Sequence, residues 1–272
     1  MTAATVTAPA PRRLPRHVSP VDGLKQTMTL AWRSLVSVKH NPFELLDLSI
    51  QPIMFVLLFT YVFGGAISGS PKEYVQFSLP GIIVQTVIFA TLTTGVGLST
   101  DLTKGVYDRL QSLPIARWSP LAGRILADMT KQVWAISLLI GVGMVIGYRV
   151  HGGITGLIGA YLILLIFFLA VSWTAVLIGV LVDNPEKVQI FGFVVVFPLT
   201  FASNAFVPAT QMPGWLQAFV NVNPVTILSD AVRGLLNGTP AAWPVVQSLL
   251  WAVAITAVFA PIAVFRFKRR IG

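Results

Sequence analysis

DLTKGVYDRLQSLPIARWSPLAGRILADMTK, residues 101–131, is a charged amphipathic stretch set between two long apolar runs. Leu102, Val106, Leu110 and Leu113 recur at helical spacing and form one apolar stripe, while Asp101, Lys104, Asp108, Arg109 and Gln111 occupy other faces. Pro114 interrupts this helix, because its ring removes a backbone donor and crowds the preceding turn. A second helical pattern follows. It carries Trp118, Leu121, Ile125 and Met129 on one side and Arg117, Arg124, Asp128 and Lys131 on others. A bent, charged segment between two membrane spans reads as a docking surface.

The composition around it is that of an integral membrane protein. Apolar residues make up 55% of the 272-residue chain and charged residues 11%, less than half the roughly 25% of a soluble domain. There is no cysteine, which excludes disulfides, thiolate metal sites and a cysteine nucleophile. The net charge of +9 comes from basic residues at the ends of apolar runs, where they set membrane topology rather than bind nucleic acid.

Six runs approach the roughly 20 residues needed to cross a bilayer. They lie near 46–65, 79–100, 132–149, 156–182, 188–207 and 245–265. Residues 1–20, rich in Ala, Pro and Thr, form a mobile tail with no apolar segment of signal-peptide type. Residues 21–40 are an amphipathic helix whose apolar face holds Val21, Leu24, Met28, Ala31, Leu35 and Val38, with Trp32 beside it. Such a helix suits either the membrane surface or other cytosolic protein. Residues 41–272 form one transmembrane domain. Sixteen of the nineteen Lys and Arg fall in the N-terminal segment, the central loop, the hairpin at 183–187 and the C-terminal tail; only Lys72, Arg149 and Arg233 fall on the other side. That asymmetry places both termini and the central loop in the cytoplasm. The segment 208–244 then faces outward as a re-entrant helical hairpin, since Asn221, Asn223, Asp230 and Arg233 oppose a further crossing.

Catalytic chemistry finds no support. The three histidines (His17, His40 and His151) and ten acids lie at or beyond the ends of the spans, so no constellation for intramembrane hydrolysis and no metal site is expected. The missing midplane charge also argues against a secondary carrier or channel, the alternative class. No G-x-x-x-x-G-K-[ST] loop occurs, so any uphill transport needs a separate ATPase acting on the cytosolic surface. Uncharged polar residues within the spans are either helix–helix contacts or pathway lining. Gln51, Gln85, Thr86, Phe201, Ser203, Asn204 and Phe206 are the pathway candidates, with Phe197 beside them. Gly143-xxx-Gly147 and Gly152-xxx-Gly156 permit close helix approach.

Asn41-Pro42, Gln51-Pro52, LFTYVFGG at 58–65, DRLQSLPIARWSPLAGRILAD at 108–128, Phe206-Val-Pro208 and Asn223-Pro224 occur in this order. In this the chain resembles the membrane subunit of type-2 ABC exporters, in particular the daunorubicin-resistance-like permeases of bacteria, from about Lys39 onward. Members often carry Glu where this chain has Asp108, a shorter acid of the same charge. The resemblance implies a six-span, all-α permease that dimerises in the bacterial cytoplasmic membrane and sits on two nucleotide-binding subunits. It implies that the 21–40 helix is an interface helix and 101–131 a coupling segment. Asp108, Arg109, Leu110, Ser112, Leu113, Pro114 and Arg117 would lie nearest the ATPase. ATP and Mg would bind the partner subunit and no cofactor this chain. An amphipathic drug-like or lipid-like substrate would pass between the copies, bounded by the first, second and fifth spans.

Overall fold

The computed structural model describes residues 20–40, 42–106 and 119–271, all of it helix and connecting turns, with no strand among them. Helix α1 spans Pro20–His40 and α2 Pro42–Leu58; α2 runs through a π-helical turn, Phe59–Phe63, into α3, Gly64–Ser68. Then come α4 (Pro71–Thr103), α5 (Ser119–Ile146), α6 (Gly153–Leu181) and α7 (Pro185–Phe201). A 3-10 turn at Ala209–Gln211 leads to α8 (Gly214–Val222), α9 (Pro224–Asn237) and α10 (Ala242–Ile271). Three of these helices start the same way. Ser70, Asn184 and Asn223 each precede a proline, and each side chain accepts a hydrogen bond from a first-turn N–H. The caps satisfy orphan donors and the proline fixes φ at a position with no partner to lose.

Among the described residues, five helices are long and apolar enough to cross a bilayer: Ser49–Ile67, Pro71–Thr103, Leu121–Ile146, Gly153–Leu181 and Ala242–Phe267. The run expected at 188–207 behaves differently. Its helix ends at Phe201 after 17 residues, about 25 Å of rise against a hydrocarbon core of about 30 Å. Asn223 explains the stop. Its amide donates to the carbonyls of Leu199 and Ala202, both at 2.8 Å, which closes the helix end after Pro198. Residues 202–208 then leave the helix and fold against α4 and α9.

Helix α4 is the centre of the bundle, in contact with α2, α3, α5, α6, α7 and α9. Its Ile82, Ile83 and Val87 pack with Leu139 of α5 and with Leu164, Phe167 and Phe168 of α6, all buried. Within lipid the hydrophobic effect does not discriminate between these faces, so close backbone approach and interhelical hydrogen bonds carry the packing. The expected glycine pattern works inside the chain. A Cβ on Gly152 or Gly156 would overlap the Leu235 carbonyl oxygen of α9, and Gly143 receives Leu79. Both approaches are within one subunit.

Charge separates the two ends of the bundle. At one, the Gln76 side chain bonds the backbone of Arg149 and the Asn237 amide, which also accepts from Tyr148. The turn at His151–Gly152 donates twice to the Leu236 carbonyl. Burial pushes the Tyr148 phenol pKa up, with the Arg233 charge opposing. This hairpin end holds Lys72, Arg149 and Arg233. At the opposite, basic end, Ser99 donates to Val182, and Arg270 binds the last carbonyls of α6 and Asp183.

One expectation changes here, and α1 divides its small and large residues between two faces. Residues 119–131 are not a separate loop helix but the first turns of α5, which continues to Ile146. Leu121 and Ile125 do face inward, packed with Leu98, Val176 and Phe267. In α1 the buried face is Gly23, Thr27 and Ala31, seated on α5 at Gly123 and Ser119, whose hydroxyl donates to the Gly23 carbonyl. Leu24, Met28 and Trp32 are exposed instead, at 61–69%. The small residues win the protein contact because they admit α5 most closely.

Candidate functional site

A cavity of about 450 Å³ opens between α2, α4, α5 and α7, a size suited to a drug-sized molecule. Phe55, Phe89 and Phe193 are among its apolar lining; Gln51, Gln85, Thr86 and Gln189 bring amides and a hydroxyl. Helix α5 supplies a polar floor of Arg124, Asp128, Lys131 and Gln132. In sequence terms Asp128 belongs to a cytosolic loop. In the structure it is 8% exposed and inside a span-length helix.

Two phenylalanine ladders rise from this cavity. On α2 and the π-turn, Phe55, Phe59 and Phe63 recur every four residues, with ring centroids 5.8 and 5.3 Å apart. On α7, Phe193, Phe197 and Phe201 do the same at 5.1 and 4.3 Å. Spacing of i, i+4 puts each set on one helix face. The ladders meet at Phe206, whose ring lies 4.6 Å from Phe59 and 5.2 Å from Phe201. At the lower end Phe89 meets Phe193 edge-on at 6.0 Å. Aromatic side chains thus run from the cavity to the hairpin end.

The backbone that holds Phe206 is fastened at several points. Its carbonyl accepts from the buried Tyr74 hydroxyl at 2.9 Å. A Cβ at Gly81 would overlap the neighbouring Ala205 carbonyl, so only glycine lets α4 approach this strap. Ser203 donates to Thr200, and the Asn204 N–H donates to Thr226. Arg233 ties the rest together. It donates Nη1 to Asp230 at 2.6 Å, Nη2 to the Asn204 carbonyl at 3.1 Å and Nε to the Phe77 carbonyl at 3.1 Å, and it stacks on the Phe77 ring at 4.1 Å. Asn204 Nδ2 also donates to Asp230 at 2.8 Å. Burial lowers the Arg233 pKa while Asp230 opposes that shift, and the guanidinium stays charged.

At the basic end Arg124 donates to Asp101 at 2.5 Å, joining α5 to the last turn of α4. One turn further in, Thr94 of α4 donates to Asp128 at 2.8 Å. Lys131 and Arg124 Nε lie 3.6 and 4.0 Å from Asp128. Described structure stops at Val106 and resumes at Ser119, so these bonds bracket the central segment.

The predicted pathway residues divide accordingly. Gln51, Gln85 and Thr86 line the cavity together. Phe201 and Phe206 join the ladders above it. Ser203 and Asn204 do neither: they are buried, with Ser203 bonded to Thr200 of α7 and Asn204 to Thr226 and Asp230 of α9. Asp108, Arg109, Leu110, Ser112, Leu113, Pro114 and Arg117 lie outside the described residues, as do residues 1–19 of the expected tail. No group of three or more metal-ligating side chains occurs among the described residues.

The profile of the ABC-2 type transporter family matches residues 25–237, through the cavity, the ladders and the hairpin. The chain belongs to that family. It is 41% identical over 244 residues to the daunorubicin resistance ABC transporter permease protein DrrB1 of Streptomyces coeruleorubidus, with 90% of this chain and 86% of that one covered. It is 27% identical to the probable doxorubicin resistance ABC transporter permease protein DrrC of Mycobacterium tuberculosis, covering 94% and 93%. The putative transport permease ycf38 of Cyanophora paradoxa is 26% identical over 79% of this chain and 75% of its own. As an ABC-2 permease, the chain is a multi-pass membrane subunit of an ATP-driven exporter, and the family associates with a separate ATPase subunit and a second permease. In this ABC-2 permease the described lining of the cavity sets phenyl rings and amides beside one carboxylate and two cations.

Proposed function

We propose that two copies of this chain, on two ATPase subunits that bind ATP and Mg, move an amphipathic drug-like or lipid-like molecule out of a bacterial cell. The basic end faces the cytoplasm, a reading that the distribution of Lys and Arg supports. Helix α7 with the strap beyond it makes the sixth crossing. Substrate loads into the cavity from the basic side and leaves between the phenylalanine ladders. The observation that carries this reading is the continuity of the cavity with rings that run to the hairpin end and close at Phe206. ATP-driven closure of the partner subunits pushes on the central segment, and the Asp101–Arg124 and Thr94–Asp128 bonds pass that displacement into α4 and α5. The names of the relatives point to anthracyclines as first probes.

The test is uptake of doxorubicin into inside-out vesicles that hold the chain with its partner ATPase. Uptake is expected with ATP, and expected to fail with Arg109→Ala or Pro114→Ala although both variants insert. Normal ATP-dependent uptake by both variants would remove the coupling role of 101–131. Uptake that follows a proton gradient and ignores ATP would remove the exporter reading.

A further inference from the structure

Gln132 is 3% exposed and lines the cavity, yet its Oε1 has no hydrogen-bond partner among the described residues. Asp128 lies four residues earlier, on the same face of α5, about 6 Å away between Cβ atoms. Among the described residues only Thr94 donates to it at close range, through Oδ2, while the nearest cation to Oδ1, Lys131, stands at 3.6 Å. A carboxylate has room for about four donors, and a buried amide oxygen left unpaired loses its hydration with nothing in return. Two acceptors short of donors therefore face one cavity, one helical turn apart. Across from them lie the rings of Phe55, Phe89 and Phe193. Arg124 gives Nη1 to Asp101, and its Nε stops 4.0 Å from Asp128 without a hydrogen-bond partner among the described residues. Lys131 offsets the Asp128 charge, so the floor selects for a hydrogen-bond donor that reaches both acceptors more than for net charge.

We infer that Gln132 and Asp128 form the docking point for the polar end of the transported molecule, an end that carries several N–H or O–H donors, while its flat apolar body lies on the three phenyl rings. The helix that follows the coupling segment thus contributes the specificity residues. This rests on the exporter reading above and adds the chemistry that the cavity selects.

The experiment compares doxorubicin with its N,N-dimethyl form in the reconstituted exporter with its ATPase. Dimethylation keeps the positive charge and removes two of the three N–H donors of the ammonium group. The wild-type complex is expected to show a KM for the primary amine about tenfold lower, the worth of one hydrogen bond to a buried acceptor. Gln132→Leu, which keeps the volume and removes the acceptor, should erase that preference. Gln132→Glu should widen it. Should the leucine variant fail to co-purify with the ATPase, the glutamate variant alone decides: an unchanged preference overturns the inference. Equal handling of the two drugs by the wild type, or a preference that survives Gln132→Leu, also overturns it and leaves the exporter reading intact. ATP-dependent uptake of neither drug would overturn the substrate reading and this docking point with it.

Discussion

Arg233→Met should destabilise the permease by about 2–5 kcal/mol, because it leaves two carbonyls without their donor at about 1–3 kcal/mol each. The guanidinium is 14% exposed, whereas Asp230 is 42% exposed. Most of the loss therefore comes from the groups Arg233 leaves behind: the carbonyls of Phe77 and Asn204, each bonded at 3.1 Å, and the Phe77 ring face. With those bonds gone, the strap 202–208 keeps its contacts with Tyr74, Asn223, Thr226 and Asp230 but loses the one side chain that joins it to both α9 and the Phe77 carbonyl of α4. Thermal unfolding in detergent should show an earlier transition, and the purified protein should leak dye from proteoliposomes without nucleotide. Asp230→Asn should do less, because its carboxylate reaches water. An Arg233→Met protein as stable and as tightly sealed as wild type would show that the strap is held elsewhere.

Arg124→Ala should have little effect on stability and a large one on transport. The Asp101–Arg124 pair is part-exposed, at 35% and 24%, where such pairs contribute about 0–1 kcal/mol. Its position matters more than its strength. It bridges the two helix ends on either side of residues 107–118, so without it only the Thr94–Asp128 bond, one turn further in, still links α4 to α5 on this side. Coupling energies of about 1–3 kcal/mol correspond to roughly 5–150-fold in the linked process, and a loss of export within that range is expected. Substrate-stimulated ATP hydrolysis should fall with it, while the complex still assembles. Asp101→Asn should act through the same bond, so the double variant should be little worse than either single one. Additive losses would mean that the two side chains serve separate ends.

How far the site can be read from residues alone follows from where polarity stands out. Gln51, Gln85 and Thr86 are conspicuous as polar groups in apolar runs, and all three line the cavity. Asp128 and Gln132 escape notice for the opposite reason. Arg124, Asp128 and Lys131 give residues 119–131 a cytosolic appearance, although Leu121–Ile146 is one unbroken helix. The clue lies in Arg124, Asp128 and Gln132 at i, i+4, i+8, one polar face on an otherwise apolar helix. Ser203 and Asn204 stand apart from that lining because average hydropathy ignores local hydrogen bonding, and theirs goes to Thr200, Thr226 and Asp230. The stretch Phe201–Val207 is apolar enough to extend a span, yet Pro198 and the distant Asn223 end its helix. Phe193, Phe197 and Phe201 are legible as a repeat; their stacking through Phe206 onto Phe59 depends on a tertiary fold-back that periodicity does not encode.

The chain has no cysteine, so a single thiol reports on the cavity directly. Thr86 lines it, and its hydroxyl only returns to the Ile82 carbonyl of its own helix, which makes Thr86→Cys a mild change. Right-side-out vesicles that hold the exporter with its ATPase would be treated from outside with a membrane-impermeant maleimide, with ATP inside or without it. If partner-driven parting of the phenylalanine ladders opens the cavity outward, the introduced thiol reacts with ATP present and is protected without it. Equal labelling in both conditions, or protection in both, would contradict the account.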